Sequence, residues 1–523
     1  MQRSSPLLFL ATNHFGDTFD YSTLEISPQV YVNRVGERDF MRNRRTIVGS
    51  AVLAAVAAIS PLGHAFTITP TFSSAPMDTQ TWDANSMAIV DEAINDWTSV
   101  LSYNDPNQNI NMTFEFQDGG SDPFNSATYL GTWRGLISGA PAGSSVFPYT
   151  PQVNHLVNIN SDLMTPRNGG VNYPDYLVLT FTSAAPTSDQ WDALTVIRHN
   201  IGQALGFSTL YQDSFGNSLA NKWMDQVTVT GNNAVFDQTP GGLNIPLASP
   251  DNPMQFADPT DLMGIGSGAS ALATGSRVAI SFQDLEALSL AYGYAITVNS
   301  GTSYTSPTFK TQTITMNGSV LVAPTTATRQ TPGVTLSSQN LTFGTGGLLD
   351  ISNHDLIIHG GSTLAQVQAL VAAGRGDGSF DGTTGITSST ANANGLNLGV
   401  GMASDANITT FDGVSVSPTD ILVKYTIAGD ANLDGHVDLT DLSTVLNNFG
   451  QPSANWTSGN FDGGPTIDLT DLSDVLNNFG RSIPQGSVAA PGAALAIASP
   501  EPTSLAILTV AAPLLLRRKA RRA

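Results

Sequence analysis

Hydrophobic residues recur with a helical period in three segments of the first half of the chain. Apolar side chains there stand three or four positions apart, the spacing that places them on one face of a helix. The segments are residues 83–101, 191–207 and 280–294. Two intervening stretches, 109–120 and 175–182, have the alternating or continuous apolar character of strands. The order of these elements predicts an α+β domain over residues 66–297.

The next part of the chain, residues 298–427, has a different pattern. It is rich in Thr, Ser, Gly and Asn, and apolar residues alternate with polar ones between frequent turn residues. This pattern predicts a β-rich spacer domain of antiparallel strands. One segment, around 363–373, has helical spacing instead.

A duplicated segment follows the spacer. Residues 438–450, DLTDLSTVLNNFG, recur at 468–480 with a single change. Leu442, Val445, Leu446 and Phe449 stand at helical spacing in the first copy, so each copy predicts one amphipathic helix. Residues 428–482 are therefore expected to form a small all-α pair, and the chain as a whole to be multidomain.

The loop before each helix carries oxygen ligands at the spacing of a calcium loop. In the first loop, DANLDGHVDLTD, positions 1, 3, 5, 7, 9 and 12 supply side-chain or carbonyl oxygens, and Gly435 occupies the sharp turn at position 6. These ligand positions are Asp430, Asn432, Asp434, His436 through its carbonyl, Asp438 and Asp441. Hard oxygen donors in this order favour calcium.

The second loop is a poorer version of the first. It offers Asn460, Asp462, the carbonyl of Thr466, Asp468 and Asp471. Gly464 and Pro465 stand at positions 5 and 6, so we expect weaker calcium binding there. The two loop-helix units resemble a type I dockerin. This resemblance implies either docking to a cohesin-like or other surface or matrix partner, or a calcium-stabilised stalk, and the sequence does not separate these roles.

Both ends of the chain have the pattern of targeting segments. Residues 41–65 combine arginines, an apolar run and Gly63-His64-Ala65, so we expect a signal peptide that is cleaved after Ala65. Residues 1–40 are expected to be a mis-assigned upstream segment, with translation starting at Met41.

After a linker at 483–499, residues 500–523 carry Pro500-Glu501-Pro502, an apolar run and a basic end. This end resembles the PEP-CTERM signal that an exosortase cleaves, with an ordinary membrane anchor as the alternative. The resemblance implies a Gram-negative protein exported to the cell surface, outer membrane or medium, with transient membrane contact.

Charge and cysteine content narrow the classes of partner and site. The net charge is −21, and about half of the basic residues lie in the two terminal segments. Such an acidic chain argues against nucleic acid and anionic lipid as partners. The chain has no cysteine, which excludes disulfides and thiolate metal ligands.

The central helix of the first domain contains TVIRHNIGQALGF. It resembles the zinc-binding helix of secreted, metzincin-like zincin peptidases, His-Glu-x-Gly-His-Ala-Leu-Gly-Phe. By this resemblance His199 matches the first zinc ligand, whereas Asn200 replaces the general-base glutamate and Gln203 replaces the second histidine. Met263, within Asp-Leu-Met, matches the methionine turn under the metal.

These two replacements remove the chemistry of a peptidase. Asparagine cannot accept the proton of a metal-bound water, a loss worth about 10²- to 10⁴-fold in rate. An amide oxygen is also a weak zinc ligand. The third ligand position would be Thr209, and the other polar candidates are Asp213, Asp225, Asp258, Asp261, His155 and Gln255.

We therefore expect a pseudopeptidase in which His199 is a hydrogen-bonded structural residue and the old cleft binds a partner or peptide. The alternatives are an active zinc metallopeptidase using His199 and an aspartate, and a dockerin-bearing, polysaccharide-degrading hydrolase.

Overall fold

The structure is a computed structural model of the chain. It describes residues 66–74, 80–103, 109–117, 131–137, 153–161, 164, 178–207, 212–213, 222–239, 241–250, 252–265, 272–328, 331, 334–453 and 455–483. The expected upstream segment, signal peptide and sorting signal lie outside these ranges, as does the linker from residue 484 onward. Within the described ranges the fold is mixed α and β, with seven α-helices and several sheets.

The first part of the chain contains ten strands and helices up to residue 213. They are β1 Thr67–Ser74, α1 Ala84–Thr98, β2 Leu101–Ser102, β3 Asn109–Gln117, β4 Gly131–Ile137, β5 Val153–Asn160, β6 Val178–Thr180, β7 Gln190–Asp192, α2 Ala193–Leu205 and β8 Gln212–Asp213. One five-stranded sheet has the order β1-β3-β5-β4-β8. Only the β4–β5 ladder in it is antiparallel.

The two helices of this part begin where the sequence places capping residues. The side chain of Asp83 accepts the Ser86 amide at the start of α1, and Asp192 accepts the Thr195 amide at the start of α2. The apolar face of α1 is buried, and its Trp97 indole donates to the Arg198 carbonyl of α2 over 3.0 Å. Both predicted helices are confirmed, and α1 packs directly against the central helix.

A smaller sheet and a third helix complete the α+β part. The new elements are β9 Val227–Thr230, β10 Asn233–Phe236, β11 Ile245–Ser249, β12 Asn252–Phe256 and α3 Phe282–Tyr292. The four strands form an antiparallel meander. Between them and α3, the predicted turn contains a single 3₁₀ turn, Leu262–Gly264.

The β-rich region carries twelve strands and two helices. They are β13 Ala295–Val298, β14 Ser303–Ser306, β15 Lys310–Met316, β16 Ser319–Val322, β17 Thr335–Phe343, β18 Leu348–Asp350, β19 Asp355–Ile358, α4 Leu364–Arg375, β20 Gly385–Thr387, α5 Ala391–Asn394, β21 Asn397–Met402, β22 Thr410–Phe411, β23 Val414–Ser415 and β24 Ile421–Thr426. The helix expected near residue 363 is α4, capped by the Thr363 hydroxyl.

The antiparallel expectation for this region is wrong for most of its ladders. The chain alternates between two sheets, ordered β2-β13-β15-β17-β19-β24-β21 and β14-β16-β18-β20. Consecutive strands from β13 to β20 thus lie in different sheets, and each strand from β13 to β18 pairs in parallel with the next strand but one. We call one such passage through both sheets a coil. Polar alternation marks a half-buried strand but carries no information on the direction of its neighbour, which is why the sequence did not reveal this arrangement.

The first part of the chain contributes to the β-rich region. Strand β2 forms the edge of the seven-stranded sheet by pairing with β13. The carboxyl group of Glu286 in α3 is fully buried and accepts the Lys310 amide and the Thr308 hydroxyl. These contacts place α3 against the start of strand β15 in the β-rich region.

The duplicated segment forms helices α6 Leu439–Asn448 and α7 Leu469–Asn478. The two copies contact each other reciprocally: the Gly450 amide donates to the Ile467 carbonyl, and the Gly480 amide donates to the Val437 carbonyl, each over 2.8 Å. Gly429 lies against Val475, and Gly459 lies against Val445. Each contact recurs with the copies exchanged, which is the property of a two-fold arrangement.

This pair packs on the seven-stranded sheet. A β-carbon at Gly399 of β21 would stand 2.8 Å from the indole nitrogen of Trp456. The same nitrogen donates to the Asp430 carbonyl over 2.6 Å. Glycine on β21 thus lets the indole approach the sheet, which anchors the first loop. In the described part of the chain, no helix has the length and apolarity needed to cross a membrane.

Candidate functional site

His199 lies on the central helix α2, where nearly every residue is buried because the helix has neighbours on all sides. Its Nδ1 is 2.9 Å from the carbonyl oxygen of Leu262. Its Nε2 is buried and has no hydrogen-bond partner among the described residues. Only one ring nitrogen of His199, Nδ1, thus makes the hydrogen bond that we expect of a structural histidine.

The protonation of this imidazole follows from its surroundings. Burial lowers the pKa of His199, while the Leu262 carbonyl and the Asp261 charge oppose that effect. A neutral ring must donate from Nδ1, because a carbonyl oxygen can only accept. The lone pair of Nε2 is therefore left exposed to the interior, the form in which a histidine binds a metal.

Asn200 and Gln203 occupy the other two motif positions. The Asn200 Nδ2 donates to the Val196 carbonyl over 2.8 Å, and its Oδ1 is buried without a partner in the described residues. Gln203 is the one half-buried residue of α2. An amide has no basic atom at neutral pH, so neither side chain can serve as a general base.

Met263 lies against the same helix. A β-carbon at Gly202 would stand 2.7 Å from the Met263 Sδ and 3.0 Å from the Trp97 ring. The Asp261 carboxylate accepts the Met263 amide and so shapes the turn. Burial and the nearby Asp261 raise the pKa of Asp284 well above its ordinary value.

The other candidate ligands do not complete a site with His199. Asp258 is exposed and accepts the Thr260 amide, and Asp225 is also exposed. His155 lies on β5, and Gln255 donates to the Ile265 carbonyl. Thr209 and the side chain of Asp213 lie outside the described residues. No group of three His, Asp or Glu side chains in the described ranges is arranged to hold a metal ion.

The first calcium-type loop is organised around Asp430, which is fully buried. One carboxylate oxygen accepts the Asp434 amide over 3.1 Å, and the other accepts the Gly435 amide over 2.9 Å. Gly435 has a φ of 84°, which explains the glycine at position 6. Asp441 accepts the Ala431 and Asp438 amides and thereby closes the loop onto helix α6.

The carboxylates of this loop raise one another's cost of ionisation only at Asp430 and Asp441, and they do not form a group arranged to hold a metal ion in the described structure. Burial raises the pKa of Asp430 to about 7, with the Asp434 and Asp441 carboxylates adding to the effect. Burial likewise raises the pKa of Asp441. The charges of Asp434 and Asp441 thus oppose the ionisation of Asp430, and a bound divalent cation would relieve that repulsion.

The second loop differs at its first position. Asn460 uses its amide nitrogen to donate to the carbonyls of Ser453 and Gly464, at 2.6 and 2.8 Å. An amide N–H group pointing into the loop repels a cation, whereas the carboxylate at position 1 of the first loop attracts one. Asp471 keeps the same closing contacts, to the Phe461 and Asp468 amides.

Sequence reasoning missed an exposed apolar surface on the repeat pair. Leu446 and Phe449 of the predicted amphipathic helix are 55% and 43% exposed. The equivalent residues of the second copy are equally exposed. We call these two triplets the leucine faces: Leu439, Leu446 and Phe449 in α6, and Leu469, Leu476 and Phe479 in α7. The sequence did carry one signal for this surface: the three apolar residues are identical in the two copies.

Comparisons of the chain with protein-family models, with curated proteins and with solved structures find no match.

Proposed function

We propose that this chain is an exported, non-catalytic binding protein that docks to a cohesin-like partner through a calcium-stabilised, dockerin-like pair. The observation that carries the proposal is the duplicated leucine face. Two apolar triplets on a strongly acidic chain are exposed at equivalent positions of a two-fold pair. Exposed apolar clusters with polar surroundings are typical of protein-binding surfaces.

The zincin-like part is proposed to be a pseudopeptidase. Asn200 binds the helix backbone through its amide nitrogen and offers no base. Gln203 is a neutral amide at the position where the resemblance requires a second imidazole. The retained contacts of His199 with Leu262 and of Gly202 with Met263 support a conserved scaffold without its chemistry.

One observation favours a second candidate, an active or metal-binding zincin. The Nε2 atom of His199 is buried, and its lone pair has no hydrogen-bond partner in the described residues. Elemental analysis of the full chain, purified without chelator and dialysed, separates the candidates. The pseudopeptidase proposal expects calcium but no zinc. About one zinc per chain, lost in a His199→Ala variant, would favour the second candidate.

The docking proposal is tested by titrating recombinant cohesin modules against the full chain. Binding should require calcium and should disappear in the Leu446→Asp/Leu476→Asp double variant. Each single variant should retain binding, because one leucine face remains. The matched control is Val229→Asp, which alters an equally exposed apolar residue on β9. If no cohesin module binds, or if the double variant binds unchanged, the docking proposal is wrong.

A further inference from the structure

Lys424, Asp355 and Asp412 form a buried cluster in the β-rich region. The Lys424 Nζ lies 3.1 Å from Asp355 Oδ2 and 3.2 Å from Asp412 Oδ1. The three side chains are 4%, 1% and 5% exposed in that order. One ammonium group and two carboxylates are thus held together away from water, where charged groups are costly unless they are paired.

The strands hold the amine and the first carboxylate face to face. Strands β19 and β24 are antiparallel, and their register pairs Leu356 with Val423, so Asp355 stands opposite Lys424. The Asp355 Oδ1 accepts the Tyr425 amide over 2.7 Å. This bond fixes the plane of the carboxyl group and leaves Oδ2 directed at the amine.

The second carboxylate comes from a tight hairpin. Asp412 and Gly413 join β22 to β23 with φ values of 50° and 85°, the conformation of a two-residue turn. The Phe411 ring lies 4.6 Å from the Lys424 Nζ. Gly435 of the first calcium-type loop covers the stem of Lys424. The cluster is thus enclosed by an aromatic ring and by the repeat pair.

We propose that Lys424 and Asp355 join through an intramolecular isopeptide bond. A proton first passes from Lys424 Nζ to the Asp355 carboxylate, and the amine then attacks Cγ, forming an Nζ–Cγ bond. The Tyr425 amide stabilises the negative charge that develops on Oδ1. Asp412 takes a proton from Nζ and delivers it to Oδ2, which leaves as water.

The reaction balances without any co-reactant. A lysine ammonium and an aspartate carboxylate yield one neutral amide and one water, and Asp412 ends in its starting state. The charges of Lys424 and Asp355 disappear, which removes the desolvation cost of that ion pair, while Asp412 keeps its charge. Amine and carboxyl group are already held within hydrogen-bond distance, which supplies the proximity that the uncatalysed reaction lacks.

The bond would strap together distant parts of the chain. It links residues 69 positions apart, and it ties the last strand before the repeat pair to the coils of the β-rich region. The chain has no cysteine, so a covalent cross-link within it cannot be a disulfide. A cross-link that closes a long loop stabilises the folded state by restricting the unfolded chain.

A second lysine–aspartate pair provides an internal control. Lys310 Nζ lies 2.8 Å from Asp237 Oδ2, but the lysine side chain is 23% exposed. Water therefore reaches the Lys310 amine, whereas the Lys424 amine is shielded from water. We therefore expect the Lys310–Asp237 pair to remain an ion pair in the same preparation.

Mass spectrometry of the denatured full chain after trypsin digestion tests the proposal. The expected product is a branched species in which residues 330–375 and 376–481 are joined, one water lighter than the sum, with no cleavage after Lys424. Cleavage should proceed normally after Lys310. Separate peptides, with cleavage after Lys424, would overturn the proposal, and fragment ions that place the link at Asp412 would overturn the assignment to Asp355.

Two variants distinguish the bond from a simple ion pair. Lys424→Arg keeps the positive charge near both carboxylates but cannot form the amide, so it should fold, digest into separate peptides and melt at lower temperature. Asp412→Asn should also fold but remain largely unlinked, because it cannot shuttle the proton. Full cross-linking in Asp412→Asn would show that Asp412 has no role. Lys310→Arg is the matched control and should leave the branched product unchanged.

Discussion

Gly202 of helix α2 and Met263 of the 3₁₀ turn Leu262–Gly264 are packed without space for a side chain between them. A β-carbon at residue 202 would lie 2.7 Å from the methionine sulfur. We expect Gly202→Ala to lower the free energy of unfolding by about 1–3 kcal/mol, the usual cost of overpacking a core. Chemical denaturation measures this change. Met263→Ala in the same background should recover part of the loss, and an unchanged midpoint in Gly202→Ala would contradict the contact.

Restoring the missing groups on α2 should restore chemistry if the scaffold is that of a zincin. The Asn200→Glu/Gln203→His variant supplies a general base and a second imidazole four residues from His199. We expect this variant to bind zinc and to cleave unstructured peptide substrates, whereas the parent chain does neither. Asn200→Glu alone is the control and should stay inactive. If the double variant folds correctly but binds no zinc and cleaves no peptide, the zincin resemblance is wrong for this helix.

Matched variants of the two loops should differ in their effect on calcium. Asp441→Ala and Asp471→Ala each remove two equivalent backbone hydrogen bonds, one of which caps the following helix. Asp441→Ala also removes a longer bond from the Asn432 amide. The structural cost should be about 1 kcal/mol in both. Isothermal titration calorimetry should show a large loss of calcium affinity only in Asp441→Ala, because the second loop presents the Asn460 amide. Equal losses would contradict the ranking of the loops.

Glu286 should make stability depend on pH. Burial raises its pKa from 4.5 to about 8, so the folded protein holds this proton between those values while the unfolded chain releases it. Stability should therefore fall as the pH rises from about 4.5 to 8, by up to about 5 kcal/mol in total. Asp237, which is paired with Lys310, adds to the rise in pKa.

Thermal melts across this pH range in the wild type and in Glu286→Gln measure the effect. Glutamine mimics the protonated acid, keeping an acceptor for the Lys310 amide, so the variant should show a flatter profile. Parallel profiles for the two proteins would show that Glu286 is ionised in the fold.

Local patterns in the sequence were sufficient for the helices and insufficient for contacts between distant residues. The helical spacing of apolar residues placed α1 and α2 correctly, since helix formation depends on near neighbours. The parallel strand pairing of the β-rich region was missed, because polar and apolar residues alternate in the same way in parallel and antiparallel strands. His199 meets Leu262 across 63 residues, and no local pattern predicts which carbonyl a buried imidazole will reach.

The candidate sites show the same limit. The spacing of Asp430 and its companions was enough to predict a calcium-type loop, because all the expected donors lie within twelve residues. The cluster of Lys424 with Asp355 and Asp412 had no local signature, since only the pairing of β19 with β24 brings its members together. Exposure of the leucine faces was also hidden, because apolar residues at helical spacing ordinarily indicate burial.

The exchanged contacts of the repeat pair make the two loops one mechanical unit. Val437 and Ile467 occupy the eighth position of their loops, and each carbonyl holds the amide just beyond the other copy's helix. Each loop is therefore held in place by the end of the other copy's helix, and a chain carrying one copy alone would lose both of these contacts.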